Sequence, residues 1–170
     1  IADLLRNHGD ANLFTRPRRF GKTLTMDTLK TFFEIGQDAS LFEGLAISRH
    51  SDICEKHQNK YPVVFISLKG AAGNSFEDAK ARIRAIMSAE AIRHSYLKNS
   101  DKLEESEKKY LLKLMNCILE PMDITDSLAI LTSLLCKHYN RKVILLVDEY
   151  DVPLDLSLIH ISEPTRLQLI

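Results

Sequence analysis

Lys142-Val143-Ile144-Leu145-Leu146-Val147-Asp148-Glu149 decides the fold class. Five consecutive apolar residues, Val143 to Val147, have no polar face to show to water on either side of a pleated strand. Such a run suits a parallel strand with helices packed on both faces. Working back from it, Leu128, Leu131, Leu134, Leu135 and His138 recur at helical spacing, which predicts a helix capped by Asp126 or Ser127 and ended by Asn140. Tyr61 to Leu68 (YPVVFISL) is β-branched and aromatic with its proline at the start, and reads as a strand inside a sheet. Strands alternating with helices make the chain α/β, a mostly parallel sheet flanked by helices.

The helices between these strands follow from the same spacing. Ser75 with Asp78 three residues on forms a capping-box variant, and Phe76, Ala79, Ile83, Ile86, Met87, Ala91, His94 and Leu97 form the inner stripe of the helix it opens. His94 on that stripe reads as a hydrogen-bonded structural histidine. After the charged run Asp101 to Lys109, read as a solvated face, Leu103, Tyr110, Leu111, Leu114 and Ile118 continue on one face up to Pro121. Nearer the start, Ile1 to Asn7 is helical in pattern, Asn12 to Thr15 forms a short apolar strand, Lys22 to Phe33 has helical spacing, and Ser51 to His57 is a short polar helix.

Composition narrows the function. The chain has 170 residues, 45% of them apolar, enough for one globular domain with a core. Its 23 basic and 23 acidic side chains cancel, so no global attraction to nucleic acid or to an anionic membrane exists and any such contact is local. No apolar stretch approaches the roughly 20 residues of a membrane helix and no signal peptide opens the chain, which points to the cytoplasm. Cys54, Cys117 and Cys136 are too scattered for a disulfide framework or a Cys-x-x-Cys motif and read as reduced, partly buried residues.

Arg16-Pro17-Arg18-Arg19-Phe20-Gly21-Lys22-Thr23 lies between the first strand and the helix after it. Apart from its first residue this is the phosphate-loop pattern G-x-x-x-x-G-K-[ST]. Gly21 lets backbone close on a phosphate, the amides of Gly21, Lys22 and Thr23 face it from a helix N-terminus, Lys22 adds charge, and Thr23 offers a hydroxyl to Mg²⁺. Arg16 has no easy access to positive φ and Pro17 removes one amide donor, losses that the Arg18 and Arg19 charges would offset. The alternative is a basic surface patch or a non-specific nucleic-acid contact.

Asp148 and Glu149, at the end of the decisive strand, have the form of a Walker B pair. The carboxyl end of a strand in an open α/β sheet projects side chains into the ligand crevice, so Asp148 suits the Mg²⁺ shell and Glu149 the activation of a water. The alternative is that two acids simply end a buried strand.

Asn12 to Thr23 (NLFTRPRRFGKT), Leu41 to Ser48 (LFEGLAIS), Tyr61 to Gly70 (YPVVFISLKG), Asn74 to Ala79 (NSFEDA) and Lys142 to Pro153 (KVILLVDEYDVP) resemble the AAA-ATPase-like family of prokaryotic proteins. Members of that family often carry a restriction-endonuclease-like nuclease domain at the C-terminus. The resemblance covers nearly all of Ile1 to Asp155, and the family's own loop is RPRRFGKT-like, so Arg16 departs from the general pattern only. It implies a P-loop NTPase core of the additional-strand type that uses ATP and Mg²⁺. Lys22 and Thr23 would serve phosphate and magnesium, Asp148 the metal, and Glu149 as base.

In such cores the strand after Walker B lies between the phosphate-loop and Walker B strands and carries a polar sensor. Leu156 to Arg166 (LSLIHISEPTR) resembles a translated sequencing-library adapter, so 156–170 is read as a non-native tail and 1–155 as the native part. The opening at Ile1, inside a helical pattern, reads as a fragment boundary. The chain would then hold three core strands and a partial core, incomplete after Walker B, with the sensor, the catalytic arginine and any nuclease domain beyond Asp155.

The expected function is ATP binding and Mg²⁺-dependent hydrolysis by the intact protein, coupled to a protein partner or an attached nuclease domain. A nucleotide-gated switch with little turnover is the alternative. A small-molecule kinase is a third reading, disfavoured because the Asp-Glu pair suits water as nucleophile.

Overall fold

The computed structural model describes residues 1–6, 11–14, 20–71, 73, 75–118 and 123–149, without the side chains of 123–125. Among the described residues six α-helices run in the order α1 (Ala2–Arg6), α2 (Lys22–Phe33), α3 (Ser51–His57), α4 (Phe76–Arg93), α5 (Glu105–Met115) and α6 (Asp123–Tyr139). The strands are β1 (Val63–Ser67), between α3 and α4, and β2 (Ile144–Asp148), after α6. They pair in parallel, from Val63 beside Ile144 to Ser67 beside Asp148.

Alternation along these strands builds a layered core. Val63, Phe65, Ile144 and Leu146 pack with Leu29, Phe32, Phe33 and Ile53 on the α2 and α3 side. Val64, Ile66 and Val143 pack with Met87, Ala91, Leu111, Leu114, Leu131 and Leu135 from α4, α5 and α6. The sheet is thus covered on both faces, as the apolar run requires.

Ser75 caps α4 by accepting a hydrogen bond from the Asp78 amide at 3.1 Å. Asn140 leaves α6 with φ 51°, the left-handed turn that asparagine tolerates. No helix of the described residues is long and apolar enough to cross a membrane.

Several expectations need correction. Residues 12–14 form no strand, and the described sheet has two strands, not three. A strand needs hydrogen-bonded pairing, and neither described strand is paired with Asn12–Phe14; Leu13 is 68% exposed, while Phe14 packs against the core cluster that holds Leu146. Strand β1 is an edge and not an interior strand, since its one strand partner among the described residues is β2.

Phe76 and Ile118 are exposed, one at the first turn of α4 and the other past the end of α5. Helix α6 is already under way at Asp123, which places Asp126 and Ser127 inside it and Ser127 in the core. Cys117 and Cys136 are exposed, and all three cysteines are free. The loop residues 15–19 and the proposed tail 156–170 lie outside the described residues.

Candidate functional site

Gly21 sits at φ 72° and ψ 28°, a left-handed conformation that costs an L-residue energy and glycine almost none. It turns the chain directly into α2, whose first intrahelical bond runs from the Thr25 amide to the Gly21 carbonyl at 2.9 Å. The amides of Lys22, Thr23 and Leu24 precede that bond and point out of the helix end.

The charge pattern here runs against helix stability. A helix N-terminus carries partial positive charge and favours acids. Helix α4 follows the rule with Glu77 and Asp78, and α5 with Glu105 and Glu107. Helix α2 has no acid in its first turn, no side-chain cap, and a lysine at its first position. A local rule broken without internal compensation marks a place where an anion from outside would complete the arrangement.

Opposite this helix end, β2 terminates at Asp148, on the face of the sheet that packs against α2. The Thr23 hydroxyl donates to Asp148 Oδ2 at 2.8 Å, joining residues 125 positions apart. Asp148 is 4% exposed, and burial of a carboxylate is sustained by such partners. Ser67, its neighbour in the register, ends β1 at the same rim.

The next residue, Glu149, is half-buried with φ 54°, so the strand geometry breaks between the two acids. Among the described residues Glu149 has no hydrogen-bond partner.

The structure therefore brings Thr23, in the first turn of α2, onto Asp148 at the end of β2, with Gly21 and Lys22 preceding Thr23 in the chain and Glu149 following Asp148. Phe20 is exposed just outside the helix, while Arg16, Pro17, Arg18 and Arg19 lie outside the described residues. No three His, Cys, Asp or Glu side chains converge on a metal-binding cluster among the described residues. The Thr23 and Asp148 pair offers one hydroxyl and one carboxylate, hard oxygens of the kind Mg²⁺ takes while keeping several waters.

One cluster escaped the sequence reading. Glu34, Glu90 and His94 are buried together around Arg93, which forms ion pairs with Glu34 and Glu90. Burial alone would raise the Glu90 carboxyl, but hydrogen bonds from His94, Arg93 and the Phe65 amide overcome it and hold the group down at about 2. Burial works against the charge of Arg93 as well, and its two carboxylate partners raise it nonetheless. His94 is the structural histidine expected, between Glu90 Oε1 at 3.3 Å and the Tyr96 hydroxyl at 3.1 Å.

The signal was the spacing Glu90, Arg93, His94, a charged turn interrupting the apolar stripe of the helix. A cavity of about 300 Å³ opens beside this cluster, lined by Lys30, Glu34, Pro62, Arg93, Tyr96 and Tyr139. It lies at the start of β1, the opposite end of the sheet from Asp148.

Neither the curated proteins nor the solved structures searched contain a match to this chain. A family model described as a predicted AAA-ATPase matches residues 1–166. With nearly its whole length matched, the chain belongs to the AAA-ATPase-like family.

Proposed function

We propose that this chain carries the phosphate-binding and magnesium-binding parts of a P-loop ATPase, and that the intact protein hydrolyses ATP and couples nucleotide state to a protein partner or an attached nuclease domain. The observation that supports this best is the 2.8 Å contact between Thr23 and Asp148. A threonine following Gly-Lys at a helix start and an aspartate ending a parallel strand are the Walker A and Walker B magnesium residues of such sites, and here they touch across 125 positions of sequence.

In this reading the outward amides of α2 and the Lys22 ammonium bind and orient the phosphates. Thr23 and Asp148 would hold Mg²⁺, which when bound neutralises charge on the phosphate oxygens. Glu149 stands one residue beyond, turned away from the strand direction, and its carboxylate accepts the proton of an attacking water. Arg18 and Arg19, shortly before Gly21 in sequence, would add positive charge.

Binding of ATP with Mg²⁺ and multiple-turnover phosphate release test this together. Lys22→Ala should lose binding. Glu149→Gln should keep binding and lose turnover by about a hundredfold or more, the usual contribution of a general base. Normal hydrolysis by Glu149→Gln would remove that glutamate from the role. Binding without turnover in the unaltered protein would leave a nucleotide-gated switch, and phosphate delivered to a metabolite would make it a kinase.

A further inference from the structure

Strand β1 has β2 on one edge, and its other edge needs partners of its own. The Ile144 amide donates to the Pro62 carbonyl at 3.0 Å, so the peptide groups of residues 62, 64 and 66 face β2 and those of 61, 63 and 65 face outward. An outward row of unpaired N–H and C=O groups is a template for another strand.

This row is occupied step by step. At Tyr61 the main chain at the end of α2 does the work: the Tyr61 amide donates to the Phe33 carbonyl at 2.9 Å, and the Ile35 amide donates to the Tyr61 carbonyl at 3.0 Å. At Val63 and Phe65 side chains take over. The Arg93 guanidinium donates to the Val63 carbonyl, and the Phe65 amide donates to Glu90 Oε1 at 2.8 Å. Arg93 is held in place by Glu90 and by Glu34, which itself lies in the bridged segment beside Tyr61.

From these contacts we infer that Glu90 and Arg93 are a side-chain substitute for a flanking strand: they close the sheet at β1 and keep its outer edge from pairing with the same edge of a second copy of this chain. The Val63 carbonyl thus meets a donor and the Phe65 amide an acceptor, two of the contacts a neighbouring strand would offer, delivered from one turn of α4. Because the guard is a buried glutamate paired with a partly exposed arginine, it cannot be bypassed by a modest shift of the helix without leaving an ion unpaired. Two exposed β1 edges would be self-complementary about a two-fold axis, which makes a second copy the natural occupant.

Amide hydrogen exchange and sedimentation test the inference. In the unaltered protein the Phe65 amide should be protected along with those of Val64 and Ile66; exchange of Phe65 at the rate of free peptide would overturn the assignment outright. In Glu90→Ala, Phe65 should exchange about tenfold to a hundredfold faster, the loss of one charge-assisted hydrogen bond, while Val64 and Ile66 keep their protection. The weight-average mass of this variant should rise with concentration above that of the unaltered protein. An open Phe65 amide with no added association would refute the guarding role.

Should Glu90→Ala fail to fold, Glu90→Gln decides, since its amide oxygen can still accept from Phe65. Protection of Phe65 and unchanged mass in that variant support the inference, and loss of Phe65 protection in folded Glu90→Gln overturns it.

Discussion

Glu90→Gln is the perturbation whose size the structure fixes best. The carboxylate is 7% exposed and accepts from the Phe65 amide at 2.8 Å, from Arg93 Nη2 at 2.6 Å and Nε at 3.0 Å, and from His94 at 3.3 Å. A carboxyl at 4.5 in the unfolded chain and about 2 in the folded one contributes about 3 kcal/mol at neutral pH. Breaking a buried ion pair from one side costs about 3–5 kcal/mol, and the 29% exposure of Arg93 places this case at the low end.

Because the folded value is depressed, the stabilisation is complete above the unfolded value and is lost as pH falls from 4.5 towards 2. By pH 3 about 2 kcal/mol of it has gone.

Urea unfolding followed by far-ultraviolet circular dichroism at pH 7 and pH 3 reads both effects. Glu90→Gln should be less stable by about 3 kcal/mol at pH 7, a drop of roughly 6–12 °C in melting temperature for a chain of this size. Its stability should also fall by about 2 kcal/mol less than the unaltered protein between pH 7 and pH 3. A variant within about 0.5 kcal/mol of the parent at pH 7, the range of an ordinary surface change, would refute the reasoning. So would an unchanged pH dependence.

Three further outcomes follow from local geometry. Cys117 is exposed at φ 56° where α5 ends, with the Ile118 amide on the Lys113 carbonyl at 2.9 Å and its own amide on the Leu114 carbonyl at 3.2 Å. Glycine suits that position, so Cys117→Gly should raise stability by about 1 kcal/mol in urea unfolding, and no gain would contradict the left-handed turn. Gly21→Ala meets open space but a strained φ of 72°, and should lose about 1 kcal/mol by the same assay; full stability would show that the turn into α2 is not left-handed. Asp148→Asn keeps shape and removes charge, so in titrations with ATP the affinity gained on adding Mg²⁺ should shrink about tenfold or more; an undiminished Mg²⁺ effect would free Asp148 from the metal role.

What the sequence made legible depended on whether the signal was local. Helix α3 was read residue for residue, and the apolar run of β2, the Ser75 cap and the Asn140 stop all carry their cause within a few residues. The pairing of Thr23 with Asp148 was legible only because two motifs of known chemistry sat at the right ends of a helix and a strand. The edge status of β1 was not, since an edge strand covered by side chains shows the same apolar pattern as an interior one. Nor was the ion cluster: Glu90 and Arg93 break the apolar stripe of α4, and their partners, Glu34 and the outward peptide groups of Val63 and Phe65, lie far away in sequence. The Asn12–Phe14 segment erred in the other direction, because apolar residues suggest a strand but only a neighbour makes one.

Helix α2 ties the two halves of this picture together. Each of its ends bears a charge of the wrong sign for the helix dipole, Lys22 at the positive end and Glu34 at the negative end. At the C-terminal end the conflict is resolved inside the protein, where Arg93 pairs with Glu34 and the Gln37 amide donates to it at 2.6 Å. At the N-terminal end no such pairing is present: among the described residues Lys22 has no acidic partner, and Asp148 is engaged by Thr23. Among the described residues the two ends thus differ, the acid at one paired and the lysine at the other not, and that difference supports the proposed phosphate site. On the proposed function, an anion with several oxygens, arriving with its own hard cation, would meet all three features at once: the outward amides, the Lys22 ammonium, and the hydroxyl and carboxylate of Thr23 and Asp148.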